Sequence, residues 1–208
     1  MVDTGTDFRT QALRQKVRVV DAVIFTHSHT DHIMGFDDLR RFGYARGWMP
    51  VYASPNTMRD LERVFEFAFK ALNPFPGYLK PEPHVIKGPF ELGTTAITPL
   101  PVPHGNTMVN GYLFARNGSK LVAYLSDCSA VPDQIAEIIR DVQVLIIDAL
   151  RHKPHPTHLS VDQALEVASR VHPGKTYFTH ISHELPQSAE RQFPPGAHIA
   201  YDGLRLEF

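Results

Sequence analysis

The sequence predicts an α/β fold in which β-sheets are flanked by helices. Two short apolar runs rich in Val and Ile, at residues 19–26 and 142–148, are typical of buried strands. An amphipathic stretch at 161–171 is preceded by Ser160, a residue that favours the first turn of a helix as its N-cap. Strands and helices do not alternate strictly along the chain, so the pattern indicates sheets covered by helices.

The remaining elements are assigned in chain order. The other predicted strands lie at 50–53, 91–104, 111–116, 120–126 and 175–180. The other predicted helices lie at 35–43, at 55–72 behind Ser54 and Pro55, and at 132–140. Five prolines and two glycines at 73–89 predict a loop or insertion. An Asn-Gly-Ser turn predicts a hairpin between 111–116 and 120–126, and 197–208 predicts a terminal hairpin turning at Asp202 and Gly203.

Composition limits the class of protein. A chain of 208 residues suits a single domain over 1–208, and its 43% hydrophobic and 21% charged residues are ordinary for a soluble protein. The formal net charge of −1 argues against a nucleic-acid partner. One cysteine, no leader-like apolar start and no apolar run long enough to span a membrane favour a cytoplasmic protein.

The strongest chemical signal is the segment His-Ser-His-Thr-Asp-His, which directly follows the first predicted strand. Imidazole nitrogens and carboxylate oxygens are ligands of zinc and similar metals. Residues two apart on an extended segment face the same way, so His27 and His29 can reach one ion together. Asp31 and His32 lie where the chain turns into a helix, where they can reach a second ion. The segment therefore predicts half of a two-metal centre.

Two metals need further ligands, and the ends of other predicted strands supply candidates. His104 ends the strand at 91–104, Asp127 follows the strand at 120–126, and His180 ends the strand at 175–180. Taken singly, each of these residues would often be an unremarkable surface or capping group. Their recurrence at strand ends predicts that all of them join the same metal centre.

These residues in this order resemble the metallo-β-lactamase superfamily, and the resemblance covers nearly the whole chain. It implies an αββα sandwich of two mixed β-sheets flanked by helices, with two divalent metal ions, zinc or manganese being expected. It implies that the first metal is held by His27, His29 and His104, the second by Asp31, His32 and His180, and both by Asp127. Cys128 is then a small buried residue beside the site, which weakens an assignment as a true β-lactamase.

The segments VDTGTDFRTQALR and DHIMGFDDLRRF are similar to a narrower branch. This is the PhnP-like phosphodiesterase branch, which includes the cyclic-phosphate hydrolase of carbon–phosphorus lyase operons. In HKPHPTHLSVDQALEV the resemblance implies that His158 assists the leaving group, with His155 as the alternative. It also implies that Asp3 supports a metal-binding histidine. Relatives usually have two or three further N-terminal strands before this segment, so either the given start lies downstream of the natural one or those strands are absent. A sheet edge exposed in this way makes a homodimer a further expectation.

The function expected from these features is hydrolysis of a small or cyclic phosphodiester by a hydroxide that bridges the two metals, with Asp31 orienting the attacking water. Hydrolysis of a carbonyl substrate, such as a thioester, lactone or β-lactam, is an alternative on the same site. A non-catalytic metal-binding protein is another. A tRNA-processing nuclease is disfavoured, because only 22 residues separate His104 from Asp127. Candidates for neutralising a phosphate are Arg9, Arg40, Arg41 and Arg151, although surface arginines are more often solvated or ion-paired.

Overall fold

A computed structural model describes residues 1–43, 47–70 and 77–208. The chain divides into two compact units, Met1–Lys87 and Gly88–Phe208. Each unit contains a β-sheet and helices, which confirms the predicted α/β class with two sheets flanked by helices. A single domain over 1–208 stays a prediction. Within the described ranges, no helix is both long enough and apolar enough to cross a membrane.

The first unit is built on a three-stranded parallel sheet. Its strands, in spatial order, are β1 (Val23–Ile24), β2 (Met49–Ala53) and β3 (Pro81–Val85). Its helices are α1 (Phe8–Arg14), α2 (Thr30–Ile33), α3 (Arg40–Gly43), α4 (Pro55–Val64) and α5 (Glu66–Phe69), with a 3₁₀ helix at Phe36–Leu39. This sheet is parallel, which corrects the expectation that both sheets are mixed.

Helix boundaries in the first unit follow local chemistry. The Ser54 hydroxyl accepts a hydrogen bond from the Thr57 amide at 3.3 Å, which confirms the predicted start of α4. The predicted helix at 55–72 is interrupted at Phe65, whose φ and ψ of −110° and 36° are not helical, and residues 71–72 lie outside the described ranges. The predicted helix at 35–43 is 3₁₀ in its first turn.

The proline-rich stretch at 73–89 contains strand β3, so the prediction of a loop was wrong for this part; residues 73–76 lie outside the described ranges. Pro81 and Pro83 pair in register with Met49 and Val51 of β2. Because the two prolines are two residues apart, their missing N–H groups fall on one side of the strand. An edge strand with a single neighbour tolerates this arrangement.

The second unit is built on a seven-stranded mixed sheet in the order β10-β9-β8-β7-β6-β5-β4. Its strands are β4 (Phe90–Leu92), β5 (Thr95–His104), β6 (Thr107–Arg116), β7 (Ser119–Leu125), β8 (Val144–Asp148), β9 (Lys175–Thr179) and β10 (Ala197–Ile199). Its helices are α6 (Asp133–Ile138) and α7 (Val161–Val171), with a 3₁₀ helix at Gln187–Gln192. The pairings make β5, β7, β8 and β9 run in one direction, so their carboxyl ends share one edge of the sheet.

Two predictions for the second unit are confirmed and one is wrong. The hairpin of β6 and β7 turns at Asn117 and Gly118, both with positive φ, and Ser160 forms a capping box with Gln163 at the start of α7. The terminal hairpin does not form, because β10 pairs in parallel with β9 and no strand follows it. The turn at Gly203 remains, with a φ of 89°.

Candidate functional site

The first unit brings together the four candidate ligands of the His-Ser-His-Thr-Asp-His segment. Strand β1 is at most 2% exposed, so the chain leaves it from a fixed position. The ring centroids of His27 and His29 lie 4.4 Å apart. Helix α2 turns the chain back, so that the ring centroids of His27 and His32 lie 4.2 Å apart. Asp31 Oδ2 lies 3.5 Å from His32 Nε2, and its side chain is 56% exposed.

Hydrogen bonds orient two of these histidines. His32 donates from Nδ1 to Asp3 Oδ2 at 2.8 Å, as the resemblance implied for Asp3. The Thr26 hydroxyl donates to the same carboxylate at 2.8 Å and so accepts from His27 Nδ1 at 3.0 Å. Both rings therefore carry their proton on Nδ1, so Nε2 is the atom of each ring that could bind a metal ion. Metal-binding histidines commonly donate their other N–H to a carboxylate or hydroxyl in this way.

The position of Asp3 depends on an unusual backbone. Its φ of 52° lies in the left-handed region, which a non-glycine residue rarely adopts. Burial raises the pKa of the Asp3 carboxyl above its ordinary value, although the hydrogen bond from His32 opposes this. The next residue but one is Gly5, where a Cβ atom would lie 2.6 Å from the Asp31 carbonyl oxygen. The segment that carries Asp3 therefore packs closely on the turn that carries the ligands.

We expect Asp3→Asn to weaken metal binding by about 10- to 100-fold, because the carboxylate that accepts from His32 makes the imidazole a stronger ligand. Competition with a chromophoric chelator measures the affinity. The matched control is Asp7→Asn, which changes an exposed aspartate of the same unit. Equal affinities for the two variants would show that Asp3 does not support the metal site.

The second unit gathers its candidate ligands at one edge of the sheet. His104 ends β5, Asp127 lies two residues beyond β7, and His180 directly follows β9. His180 Nε2 lies 3.3 Å from Asp127 Oδ2, and His104 Nε2 lies 4.0 Å from the same oxygen. Asp127 and His104 are at most 5% exposed. His180 has a φ of 54°, so the backbone of this candidate ligand, like that of Asp3, lies in the left-handed region.

His158 lies among these residues. It offers a ligand atom within 4.8 Å of those of His104 and Asp127, and its ring stacks on His180 with centroids 4.6 Å apart and planes 13° apart. His155 lies next to it, with ring centroids 5.2 Å apart. Burial lowers the pKa of His155, and its electrostatic interactions with His158 and Arg151 lower it further.

Asp148 is a functional candidate that the sequence analysis missed. It is fully buried at the end of β8, and its Oδ2 accepts from His158 Nδ1 at 2.7 Å and from the Cys128 amide at 3.0 Å. Burial raises the pKa of Asp148, and the hydrogen bonds from His158 and Cys128 oppose this. The one signal in the sequence is an aspartate at the end of an otherwise apolar strand. Cys128 is itself fully buried, as expected, and burial raises the pKa of its thiol.

Thr157 links His104 to the loop that carries His158. His104 donates from Nδ1 to the Thr157 carbonyl at 2.8 Å, so Nε2 of His104 is the atom that could bind a metal ion. The Thr157 amide donates to His155 Nδ1 at 3.4 Å. Gly105 permits this approach, since a Cβ atom there would lie 2.7 Å from Thr157 Cγ2 and its φ is +59°.

We expect Gly105→Ala to lower the free energy of unfolding by about 2 kcal/mol, from the left-handed backbone together with the clash against Thr157. The matched control is Gly118→Ala, which has a φ of +78° but meets nothing within 4 Å. Urea denaturation should show a loss of about 1 kcal/mol for the control, and only Gly105→Ala should also weaken metal binding. Equal losses would mean that the close approach to Thr157 carries no energy.

The donor set fits a divalent metal ion. It consists of imidazole nitrogens and carboxylate oxygens. The Nδ1 atoms of His27, His32 and His104 bond to protein acceptors, so Nε2 is the atom of each ring that could bind a metal ion. Two of the candidate arginines are ion-paired, Arg40 with Asp37 at 3.5 Å and Arg151 with Glu184.

Comparisons with known proteins agree with this reading. A beta-lactamase superfamily domain model matches residues 1–181. A crystal structure described as a new diphosphatase from the PhnP family is 41% identical, with a TM-score of 0.90, and the alignment covers 100% of this chain and 78% of that one. Zn²⁺-bound PqqB from Methylobacterium extorquens is 19% identical, with a TM-score of 0.76 and coverage of 100% and 82%, which shows a shared fold alone.

A curated relative is the octanoyltransferase of Porphyromonas gingivalis, 31% identical over 214 residues, with 98% of this chain covered. The chain spans 41% of the length of that protein. The family match and the similarity to the diphosphatase agree over most of the chain. The chain therefore belongs to the metallo-β-lactamase superfamily and lies near the PhnP family within it.

Proposed function

We propose that the chain is a metal-dependent hydrolase of small or cyclic phosphodiesters and that its two ligand sets together hold two divalent ions, zinc or manganese. Membership of the metallo-β-lactamase superfamily supports a shared centre. Each unit supplies part of the set of donors that the resemblance to this superfamily implies. The proposed ligands are His27, His29, Asp31, His32, His104, Asp127 and His180.

The observation that carries the proposal is the pairing of Asp148 with His158 beside Asp127 and His180. A fully buried carboxylate that accepts from Nδ1 at 2.7 Å holds the imidazole with Nε2 pointing away from it. A histidine held in this way can donate a proton from Nε2. An alcohol leaves phosphorus as a strongly basic alkoxide, so it needs such a proton, whereas a thiolate leaving a thioester does not.

The bound metal ions would lower the pKa of a water molecule and offset negative charge on the phosphoryl oxygens. The chain's own residues supply the remaining steps. Asp31, whose carboxylate is 56% exposed, orients the attacking water. His158 donates its proton to the leaving oxygen, and Asp148 stabilises the charged imidazole until the proton is transferred.

Two relatives bear on the choice of substrate. The diphosphatase of the PhnP family is 41% identical to this chain, and its name points to reactions at phosphorus. The name of the octanoyltransferase points to acyl groups, but the match covers only 41% of that protein. A hydrolase of carbonyl substrates is therefore the alternative among enzymes. A metal-binding protein without catalytic activity is the second alternative.

The test pairs metal content with turnover. Protein purified without chelator should contain about two divalent ions per chain and hydrolyse bis(p-nitrophenyl) phosphate. A chelator should abolish turnover, and zinc or manganese should restore it. Turnover of a thioester without turnover of any diester would favour the carbonyl alternative. Two bound ions without turnover of either class would favour the non-catalytic one.

A further inference from the structure

Two loops of the second unit carry functional candidates and are held together at their bases. The loop at 149–160 follows β8 and carries His158, and the loop at 180–186 follows β9 and begins with His180. The Ala149 amide donates to the Thr179 carbonyl at 3.1 Å, and the Ser182 amide donates to the Leu150 carbonyl at 2.9 Å. These bonds join the starts of the two loops.

The loop at 149–160 also closes on itself. The Leu150 amide donates to the Leu159 carbonyl at 3.0 Å, and the Val161 amide donates to the Arg151 carbonyl at 3.0 Å. Arg151 is therefore fixed at the base of the loop, opposite Ser160, with which it forms an isolated β-bridge. His158 lies two residues before Ser160, so the position of its ring depends on the geometry of this base.

An ion pair connects this base to the other loop. The Arg151 guanidinium donates to the Glu184 carboxylate, and the two residues are 33 positions apart in the sequence. The Glu184 amide donates to the Ser182 hydroxyl at 3.2 Å, which ties the acidic partner to the start of its own loop. The side chains of Arg151 and Glu184 are 28% and 38% exposed. The pair is thus a further connection between the two loops, beside the backbone bonds at their bases and the stacked rings of His158 and His180.

We propose that the Arg151–Glu184 ion pair is a positioning device that sets the His158 ring against His180, so that His158 can deliver its proton to the leaving oxygen. The inference rests on the proposed function. The His158 Nδ1 donates to Asp148, so the ion pair would act on the His158 ring through the base of the loop. A shift of about 1 Å in a catalytic group can cost about 100-fold in rate, so a modest loosening should be measurable.

A partly exposed ion pair contributes about 1 kcal/mol or less to folding, so its loss should barely change global stability. A purely structural role would lower the rate for every substrate alike. A role exerted through His158 should lower the rate only where the leaving group needs a proton. Diphenyl phosphate and bis(p-nitrophenyl) phosphate share a diaryl phosphate core and differ in their para-nitro groups. The phenoxide that leaves the first is a much poorer leaving group than the nitrophenoxide that leaves the second.

The experiment measures kcat/KM of the metal-loaded Glu184→Gln and Arg151→Lys variants on both diesters. Glu184→Gln should lose about tenfold on diphenyl phosphate and less than twofold on bis(p-nitrophenyl) phosphate. Arg151→Lys, which keeps the charge, should retain most of the activity. The matched control is Arg140→Gln, which breaks the pair between Arg140 and Glu137 at the carboxyl end of α6 and should change neither rate.

Thermal unfolding of each variant separates misfolding from mispositioning. A selective loss in a variant with an unchanged Tm supports the positioning role. An equal loss on both diesters, or no loss on either, overturns it. If wild-type protein hydrolyses both diesters but His158→Gln shows no selectivity, the acid role of His158 in the proposed function fails, and the positioning role fails with it. If His158→Gln is selective and Glu184→Gln is not, the positioning role alone is wrong.

Discussion

We expect the Asp127→Asn variant to lose about 10³-fold or more of its kcat/KM on bis(p-nitrophenyl) phosphate. Asp127 is 2% exposed, and its Oδ2 lies 3.3 Å from His180 Nε2 and 4.0 Å from His104 Nε2. If it is the ligand shared by both ions, the neutral amide removes the negative charge that holds two cations close together. Metal content should fall in the same sample.

Asp133→Asn is the matched control for this prediction. It changes an aspartate of the same unit that is exposed and paired with Arg170 at 2.6 Å. The control should retain its metal and its turnover. An Asp127→Asn protein that binds as much metal as the wild type and turns over at the wild-type rate would remove Asp127 from the ligand set.

The sequence predicted the α/β class, and it placed His104, Asp127 and His180 at or just after strand ends, where the structure also has them. The candidate ligands could be found because each one is a polar residue that interrupts an apolar strand pattern at its end, as His104 does after β5. In the second unit the strands run in one direction, so their ends meet at one edge and the interrupted positions gather there. The predicted ends of these strands lie within a few residues of the ends in the structure.

Contacts distant in sequence were not predictable. Asp148 ends a strand like the other candidates, but its role depends on His158, and the sequence does not show that these two residues meet. The pair formed by Arg151 and Glu184 spans 33 positions and has no local signature. A surface arginine is compatible with many partners, so its identity alone does not select the carboxylate that it contacts.

The fold errors have local causes. The prolines of 73–89 indicate a loop, but an edge strand such as β3 accommodates them because one side of it needs no N–H donors. The terminal segment has alternation and a turn at Gly203, both typical of a hairpin. The available edge belongs to β9, and β10 pairs with it in parallel, an outcome that depends on the rest of the sheet.

We expect His158→Gln to lower kcat/KM by about 10²- to 10⁴-fold on diesters with poor leaving groups. Glutamine can accept or donate a hydrogen bond at this position, but it cannot transfer a proton. Diesters with good leaving groups depend less on that proton, so their loss should be much smaller. A series of aryl diesters measures this as the slope of log kcat/KM against the pKa of the leaving phenol.

The wild-type slope should be shallow and the His158→Gln slope steep, because the enzyme's proton no longer compensates for a basic leaving group. His152→Gln is the matched control, since it changes an exposed histidine of the same loop. The slope for Asp148→Asn should fall between those of the wild type and His158→Gln, because an amide still occupies the position next to Nδ1 but does not stabilise the imidazolium. Parallel slopes for the wild type and His158→Gln would instead assign His158 to binding. A steep slope for Asp148→Asn without a steep slope for His158→Gln would place the proton donor elsewhere in the loop at 149–160.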